Sequence, residues 1–214
     1  MANRSLYLVR HGHRLDEVNK KWYEKEGLNK YDPPLSYEGK DQAQKLAQRL
    51  QQEPIDMIFT SPYWRAIQTA HPIAECLDLP LYVENGIGEW LGKAMIPHEP
   101  TITPAFQRRD EFPMLEFSHN PRVIPHYPET AQQCFERLEN TITQLLDSYE
   151  GNLLLVGHGR TVTGLAHRLV GKPESKFKLN NAGITKLDYD KGKWICRLNS
   201  DDTHLTCDVM PQFI

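Results

Sequence analysis

The sequence predicts an α/β protein, a three-layer α/β/α sandwich around a mainly parallel sheet. Three observations predict it. Short apolar runs lack the polar alternation of a half-wet strand, so they read as strands buried on both faces. Between them lie stretches with apolar residues at helical spacing, and this alternation of strand and helix implies a parallel sheet covered on both sides. The chain has 214 residues, 39% hydrophobic and 25% charged, which suits one domain, 1–214, with a sizeable core.

The elements follow in order. "SLYLV" (Ser5 to Val9) is the first strand. In "LSYEGKDQAQKLAQRL", Ala43, Leu46, Ala47 and Leu50 fall at i, i+3, i+4 and i+7, and Ser36 is placed to cap the resulting helix. "IDMIF" (Ile55 to Phe59) is the second strand. "TSPYWRAIQTAHPIAECL" then opens a helix with Ser61 at the cap and Pro62 in the first turn, and Pro72 is expected to kink it or shift its start. "LPLYVE" is a third strand, "ETAQQCFERLENTITQLLDSY" a long helix, and "NLLLV" (Asn152 to Val156) a further buried strand leading through "GHG" into another helix. "GITKLDYD" and "KWICRLN" flank Lys191-Gly192, a hairpin signal.

Regular patterning stops between Trp90 and Pro128, where seven of the 15 prolines fall. This segment is too long for a plain connection. It reads either as a partly helical insertion, a partial cap over a functional face at about 90–128, or as an ordinary surface excursion.

Composition narrows the function. The formal net charge is −3, so no global field attracts nucleic acid or an anionic membrane, and neither is expected as a partner. The four cysteines, Cys76, Cys134, Cys196 and Cys207, fit neither a C-x-x-C pair nor a zinc spacing and read as reduced thiols. The N-terminal apolar run is too short for a signal peptide, and no run approaches a membrane span, so a cytoplasmic location is expected.

Three strand ends then carry an unusual density of chemistry. In open α/β sheets, ligands bind beyond the carboxyl ends of the strands. Arg10, His11 and Gly12 stand just past the first strand. His158 stands between Gly157 and Gly159, where a strand turns into a helix whose N-terminus favours negative charge. Arg65 sits in the first turn of a helix, where the dipole disfavours a cation unless it reaches an anion. Arg14 can add another guanidinium from the loop. Guanidinium forks match phosphate oxygens in bidentate fashion, so a phosphate monoester is the guest these charges fit best.

Taken in order, "VRHG", "DPPLSYEGKDQAQKLAQRL", "SPYWRAIQTA", "VENGIGEW" and "VGHG" resemble the histidine phosphatase superfamily, also called phosphoglycerate-mutase-like, from Leu6 to about Leu169. Within it, "RHGHRLD", "ENGIGEW" and "SPYWRAIQTA" are most similar to the TULA or Sts phosphatase branch. The resemblance implies a phosphoglycerate-mutase-like fold and a phosphatase working without metal or other cofactor. It implies His11 as the nucleophile that becomes phosphorylated and Glu89 as general acid and base. Arg10, Arg65 and His158 would form the phosphate pocket, joined by Arg14. His13 stands where most members have a carboxylate or amide, and proton carrier, substrate contact and bystander all remain open for it.

The residues also set terms for the chemistry. His11 must be neutral to attack phosphorus, and neighbouring arginines disfavour its imidazolium. Its second ring nitrogen is expected to donate to a backbone carbonyl, fixing the tautomer. His158 is expected to be protonated and to brace the phosphoryl oxygens. Hydrolysis of a small-molecule phosphoester or a phosphorylated peptide is the favoured function. The alternatives are a phosphoglycerate mutase-type transferase and a non-catalytic phospho-ligand module. "HGH" also fits the metal pair of barrel hydrolases, but such barrels typically need about 250 residues and eight β/α units. Substrate selection is assigned to Trp22 to Tyr31 and to the insertion with Arg108, Arg109 and Arg122, which read equally as a solvated face.

Overall fold

The computed structural model describes residues 4–24, 29–171 and 176–206. The strands β1 (Arg4–Arg10), β2 (Met57–Thr60), β3 (Leu81–Val83), β4 (Leu115–Glu116), β5 (Leu153–Gly157), β6 (Ile184–Asp190) and β7 (Lys193–Asp201) form one sheet in the order β4-β3-β2-β5-β1-β6-β7. The pairs from β4 to β1 are parallel, and β6 and β7 join antiparallel.

Side-chain alternation along the strands divides the core in two. Tyr7, Val9, Ile58, Leu154 and Val156 face one side and pack with Leu46, Ala47 and Leu50 of α2 (Tyr37–Leu50) and with Ile67, Ala70 and Ile73 of α3 (Trp64–Leu77). Leu6, Leu8, Phe59, Leu153 and Leu155 face the other and pack with Leu138, Ile142 and Leu145 of α4 (Ala131–Ser148) and Val162, Leu165 and Ala166 of α5 (Gly159–Val170). The result is the expected three-layer sandwich. Two one-turn helices, α1 (Leu15–Val18) and α6 (Thr203–Thr206), complete it.

Local signals explain several boundaries. Ser36 caps α2 by accepting from the Gly39 N–H. Thr130 and Gln133 form a reciprocal capping box at α4. Lys191 and Gly192 both take positive φ, 47° and 83°, the turn that matches strand twist between β6 and β7.

Three expectations need correction. Helix α3 begins at Trp64, and Ser61 is not its cap, because the Ser61 hydroxyl is engaged elsewhere, as shown below. Pro72 does not shift the start, since the helix runs through it from Trp64 to Leu77: burial of Ala66, Ile67, Ala70, Ile73 and Ala74 outweighs one missing hydrogen bond. The insertion is not substantially helical. Its prolines leave one 3-10 turn, Ala105–Arg108, and the two-residue β4, which extends the sheet edge beside β3.

Cys76, Cys134 and Cys196 are free thiols; Cys207 and residues 25–28 of the expected selectivity segment lie outside the described residues. No helix among the described residues is long and apolar enough to cross a membrane.

The first turn of α2 crosses directly over the loop after β1. A Cβ on Gly39 would stand 2.1 Å from the His13 carbonyl oxygen, and one on Gly12 would stand 2.7 Å from the Gly39 carbonyl oxygen. Both neighbours are backbone, so neither can step aside. Gly39→Ala should therefore cost about 1–3 kcal/mol. It should also shift the His11 loop, and a lowered urea midpoint with reduced turnover would be the paired readout.

Candidate active site

Sheet pairing brings three separate segments together. Arg10 lies opposite Gly157 and Thr60 opposite Val156 in adjacent parallel strands. The pairing runs one residue further, with His11 N–H donating to Gly157 O and Ser61 N–H to Val156 O, both at 2.9 Å. His11, Ser61 and His158 thus emerge side by side at the carboxyl ends of β1, β2 and β5.

The two histidine rings meet edge to face with centroids 5.3 Å apart, and both are buried. His11 Nδ1 lies 2.8 Å from the Gly12 carbonyl oxygen, so Nδ1 carries the proton and Nε2 keeps its lone pair. Gly12 N–H donates to Thr69 Oγ1, Ser36 N–H to His13 O and His13 N–H to Gln42 Oε1. These bonds fix the loop between α2 and α3.

His158 accepts at Nδ1 from Arg65 Nη2 at 3.2 Å, and its Nε2 lies 2.8 Å from Ser61 Oγ. With Nδ1 accepting, Nε2 carries the proton and donates to the serine. Glu89 Oε2 stands 3.3 Å from His158 Nδ1 and 3.2 Å from Arg65 Nη2. Glu89 is the partly exposed member of this group. The Tyr63 ring packs edge-on to His158 at 5.1 Å and lies under the Arg65 guanidinium at 4.6 Å.

Arg65 is buried in the first turn of α3, the position the helix dipole disfavours. Asp32 resolves this. It is buried, accepts from Trp64 N–H at 2.8 Å, and lies 4.0 Å from Arg65 Nη1 and 3.5 Å from Arg108 Nη2. A remote carboxylate thus serves the helix N-terminus and offsets the arginine. Burial raises the Asp32 pKa, against the opposing pull of the Trp64 N–H and the two arginines.

Arg10 is half-buried and donates from Nη1 to Leu179 O. Arg10 Nε, Arg65 Nε and Arg65 Nη1 have no hydrogen-bond partner. This is unused donor capacity beside His11 that suits an anion rich in acceptors. Arg14 holds a bidentate contact to Asp16 at 2.9 Å, with Glu17 at 3.5 Å, so in this structure it is paired within its own loop. His13 contacts Ser36 Oγ at 2.9 Å and Glu17 at 3.0 Å.

The electrostatics correct one expectation. Burial, then Arg65, hold His11 well below its ordinary value near 6.5, so its imidazole is neutral as anticipated. His158 was expected to be protonated. Burial, then Arg65 and Arg137, hold it well below 6.5 too, so in this state it is a neutral acceptor for Arg65. His11, Glu89 and His158 have ligand atoms within 4.8 Å of one another, a donor set that could hold a cation. Arg65 Nη2 stands against two of them, so the local charge favours an anion.

Sequence reading missed Ser61, Thr69, Tyr63 and Asp32 as parts of this site. Thr69 had a visible signal, a polar residue on the apolar face of α3. Asp32 opens the segment "DPPLSYEGKDQAQKLAQRL", but its role was not legible there, because its partners lie more than thirty residues away. Of the arginines assigned to substrate selection, Arg108 stacks on Trp64 at 4.0 Å and pairs with Asp32, Arg122 donates to Tyr149 OH at 3.4 Å, and Arg109 lies over Phe117 at 5.9 Å.

Residues 6–202 match the family described as histidine phosphatase superfamily (branch 1), and the chain belongs to that superfamily. The transcription factor tau 55 kDa subunit of Saccharomyces cerevisiae is 28% identical over 86% of this chain and 45% of its own length. The ecdysteroid-phosphate phosphatase of Drosophila melanogaster is 28% identical over 87% of this chain and 30% of its own length. The chain therefore spans less than half of either curated relative. The crystal structure of the ecdysone phosphate phosphatase of Bombyx mori in complex with tungstate shares the fold, with a TM-score of 0.74, 20% identity, and coverage of 90% of this chain and 91% of that one.

Two imidazoles held neutral in the fold predict a pH response. As pH falls through about 6.5, histidines in the unfolded chain take up protons before His11 and His158 can, so the unfolded state gains protons and stability drops. The slope should approach about 1.4 kcal/mol per pH unit for each buried histidine. Urea unfolding at about pH 7.5 and about pH 5.5 checks this: wild type should lose more stability over the interval than His11→Gln.

Proposed function

We propose that this chain is a phosphoric monoester hydrolase that works through a phosphohistidine on His11, without a metal ion. One observation carries the reading: a neutral imidazole with a free Nε2 stands beside Arg65, His158 and Glu89 at the carboxyl ends of adjacent parallel strands.

The first step is in-line attack of His11 Nε2 on phosphorus. The N–P bond forms as the ester P–O bond breaks, and the leaving oxygen takes a proton from Glu89. The equatorial oxygens are met by donors from Arg65 and Arg10, placed before the reaction begins. His158 stays neutral, with Nδ1 against Arg65 and Glu89, and so helps hold both side chains around those oxygens. In the second step Glu89 removes a proton from water, the water oxygen attacks phosphorus, the N–P bond breaks, and inorganic phosphate leaves with His11 neutral again. Fixed guanidiniums perform the charge stabilisation that a metal would otherwise supply.

The substrate class is a small organic phosphoester or a phosphorylated peptide. Two of the similar proteins are named as phosphatases of an ecdysteroid phosphate, which supports a small organic ester. The insertion at about 90–128 acts as a partial cap. A cavity of about 150 Å³ beside Glu89 is lined by Leu91, Pro100, Ile102, Ile124 and Pro125 of that segment, with Tyr63 opposite, and this supports an apolar leaving group. The free thiols Cys76, Cys134 and Cys196 support a cytoplasmic location.

Turnover of p-nitrophenyl phosphate should fall to background in His11→Ala. In Glu89→Gln it should fall by about 10²–10⁴-fold on an alkyl phosphate. Quenching in alkaline denaturant during turnover should trap an alkali-stable, acid-labile phosphoryl group on wild type but not on His11→Ala. Activity should survive prolonged dialysis against a chelator. Full activity in His11→Ala, or loss of activity on chelation, would remove the reading.

A further inference from the structure

The loop that carries Glu89 has no regular secondary structure beyond one 3-10 turn, Asn85–Ile87. A proton donor must nevertheless be held to a fraction of an ångström. The holding groups come from α4 and from Glu129, two residues before it. Arg137 is buried on the apolar face of α4, between Cys134 and Leu138. Its Nη1 donates to Gly86 O at 2.6 Å and approaches Gly88 O at 3.4 Å, and its Nη2 approaches Glu89 O at 3.4 Å. Glu129, also buried, accepts from Arg137 Nε at 3.0 Å and Nη2 at 2.6 Å. On its other side Glu129 accepts at Oε1 from Leu91 N–H at 3.1 Å, and its own backbone bonds Leu91 O through N–H and Trp90 Nε1 through its carbonyl.

The backbone on both sides of Glu89 is therefore fastened to one buried ion pair. A bidentate guanidinium–carboxylate pair has a fixed plane and a fixed reach, unlike an apolar contact. A buried ion pair is weak evidence for stability, since apolar residues of like volume often serve as well. What this pair does that apolar residues cannot is bind Gly86 O, Glu89 O and Leu91 N–H at once.

We propose that Arg137 and Glu129 are positioning residues for Glu89, setting its carboxyl group where the leaving oxygen of the substrate departs. The proposal rests on the reading of Glu89 as proton donor.

Leaving-group dependence tests both separately. Dinitrophenolate leaves without a proton, whereas the alkoxide of glycerol phosphate needs one. Removing only one member of the pair strands a buried charge, so two variants are used: Arg137→Lys, which keeps the charge and loses the fork, and Glu129→Gln with Arg137→Met, which removes both charges. Glu89→Gln is the reference. In the reference, kcat/KM for glycerol phosphate should fall far more than for dinitrophenyl phosphate. Both pair variants should show the same selective loss, about 10-fold or more on glycerol phosphate against about threefold or less on dinitrophenyl phosphate. Inhibition by inorganic phosphate should be unchanged, because the phosphate pocket itself is intact. Equal losses on the two substrates, no loss on either, or weakened phosphate inhibition would overturn the positioning role. If Glu89→Gln itself shows no leaving-group dependence, the proton-donor reading falls first and the positioning role with it.

Discussion

Everything at the candidate site depends on the register of three adjacent parallel strands. Arg10 is paired with Gly157, and Thr60 with Val156. The side chains that follow, His11, Ser61 and His158, are therefore set at one height along one edge. A one-residue slip would turn each strand over and send these side chains to the other face. The slip is prevented by the two-sided core, in which Tyr7 and Val9 belong to one helical layer and Leu6 and Leu8 to the other.

A second constraint is charge. Arg65 is buried next to two imidazoles, and such a cation is tolerable only with acids at hand. Asp32 and Glu89 provide them from two directions. The same arrangement recurs one layer deeper, where Arg137 is matched by Glu129. Keeping the histidines neutral follows directly, since burial and Arg65 oppose a further positive charge on both, and Arg137 adds to this at His158. The neutral imidazole of His11 and the unpaired guanidinium donors beside it thus arise from one electrostatic arrangement.

The insertion belongs to the same framework. Fully buried Glu84 accepts from His119 Nε2 at 2.9 Å and from the N–H groups of Arg122 and Gly86, both at 2.8 Å. Arg108 reaches Asp32 from the other side. The segment without a regular pattern is thereby tied to the loop that carries Glu89 and to the acid that supports Arg65, and its arginines are largely occupied by the protein's own acids and aromatic rings.

The sequence alone determined the fold class, because buried strands and amphipathic helices leave different periods in a linear chain, and it singled out His11, His158, Arg65 and Glu89 through their motifs and strand-end positions. It determined the cap at Ser36, a signal a few residues long, whereas the capping box at Thr130 came from the structure. It misplaced the role of Ser61, because a serine ahead of a helix looks the same whether it caps that helix or serves a histidine 97 residues away. Only the tertiary structure decided that Asp32 supports Arg65, that Arg14 is paired with Asp16, that His158 is neutral, and that Arg137 holds the Glu89 loop. Each of these is set by burial and by contacts between distant segments. Local spacing records which face a side chain takes, but not which remote partner it meets there or how little water remains around it.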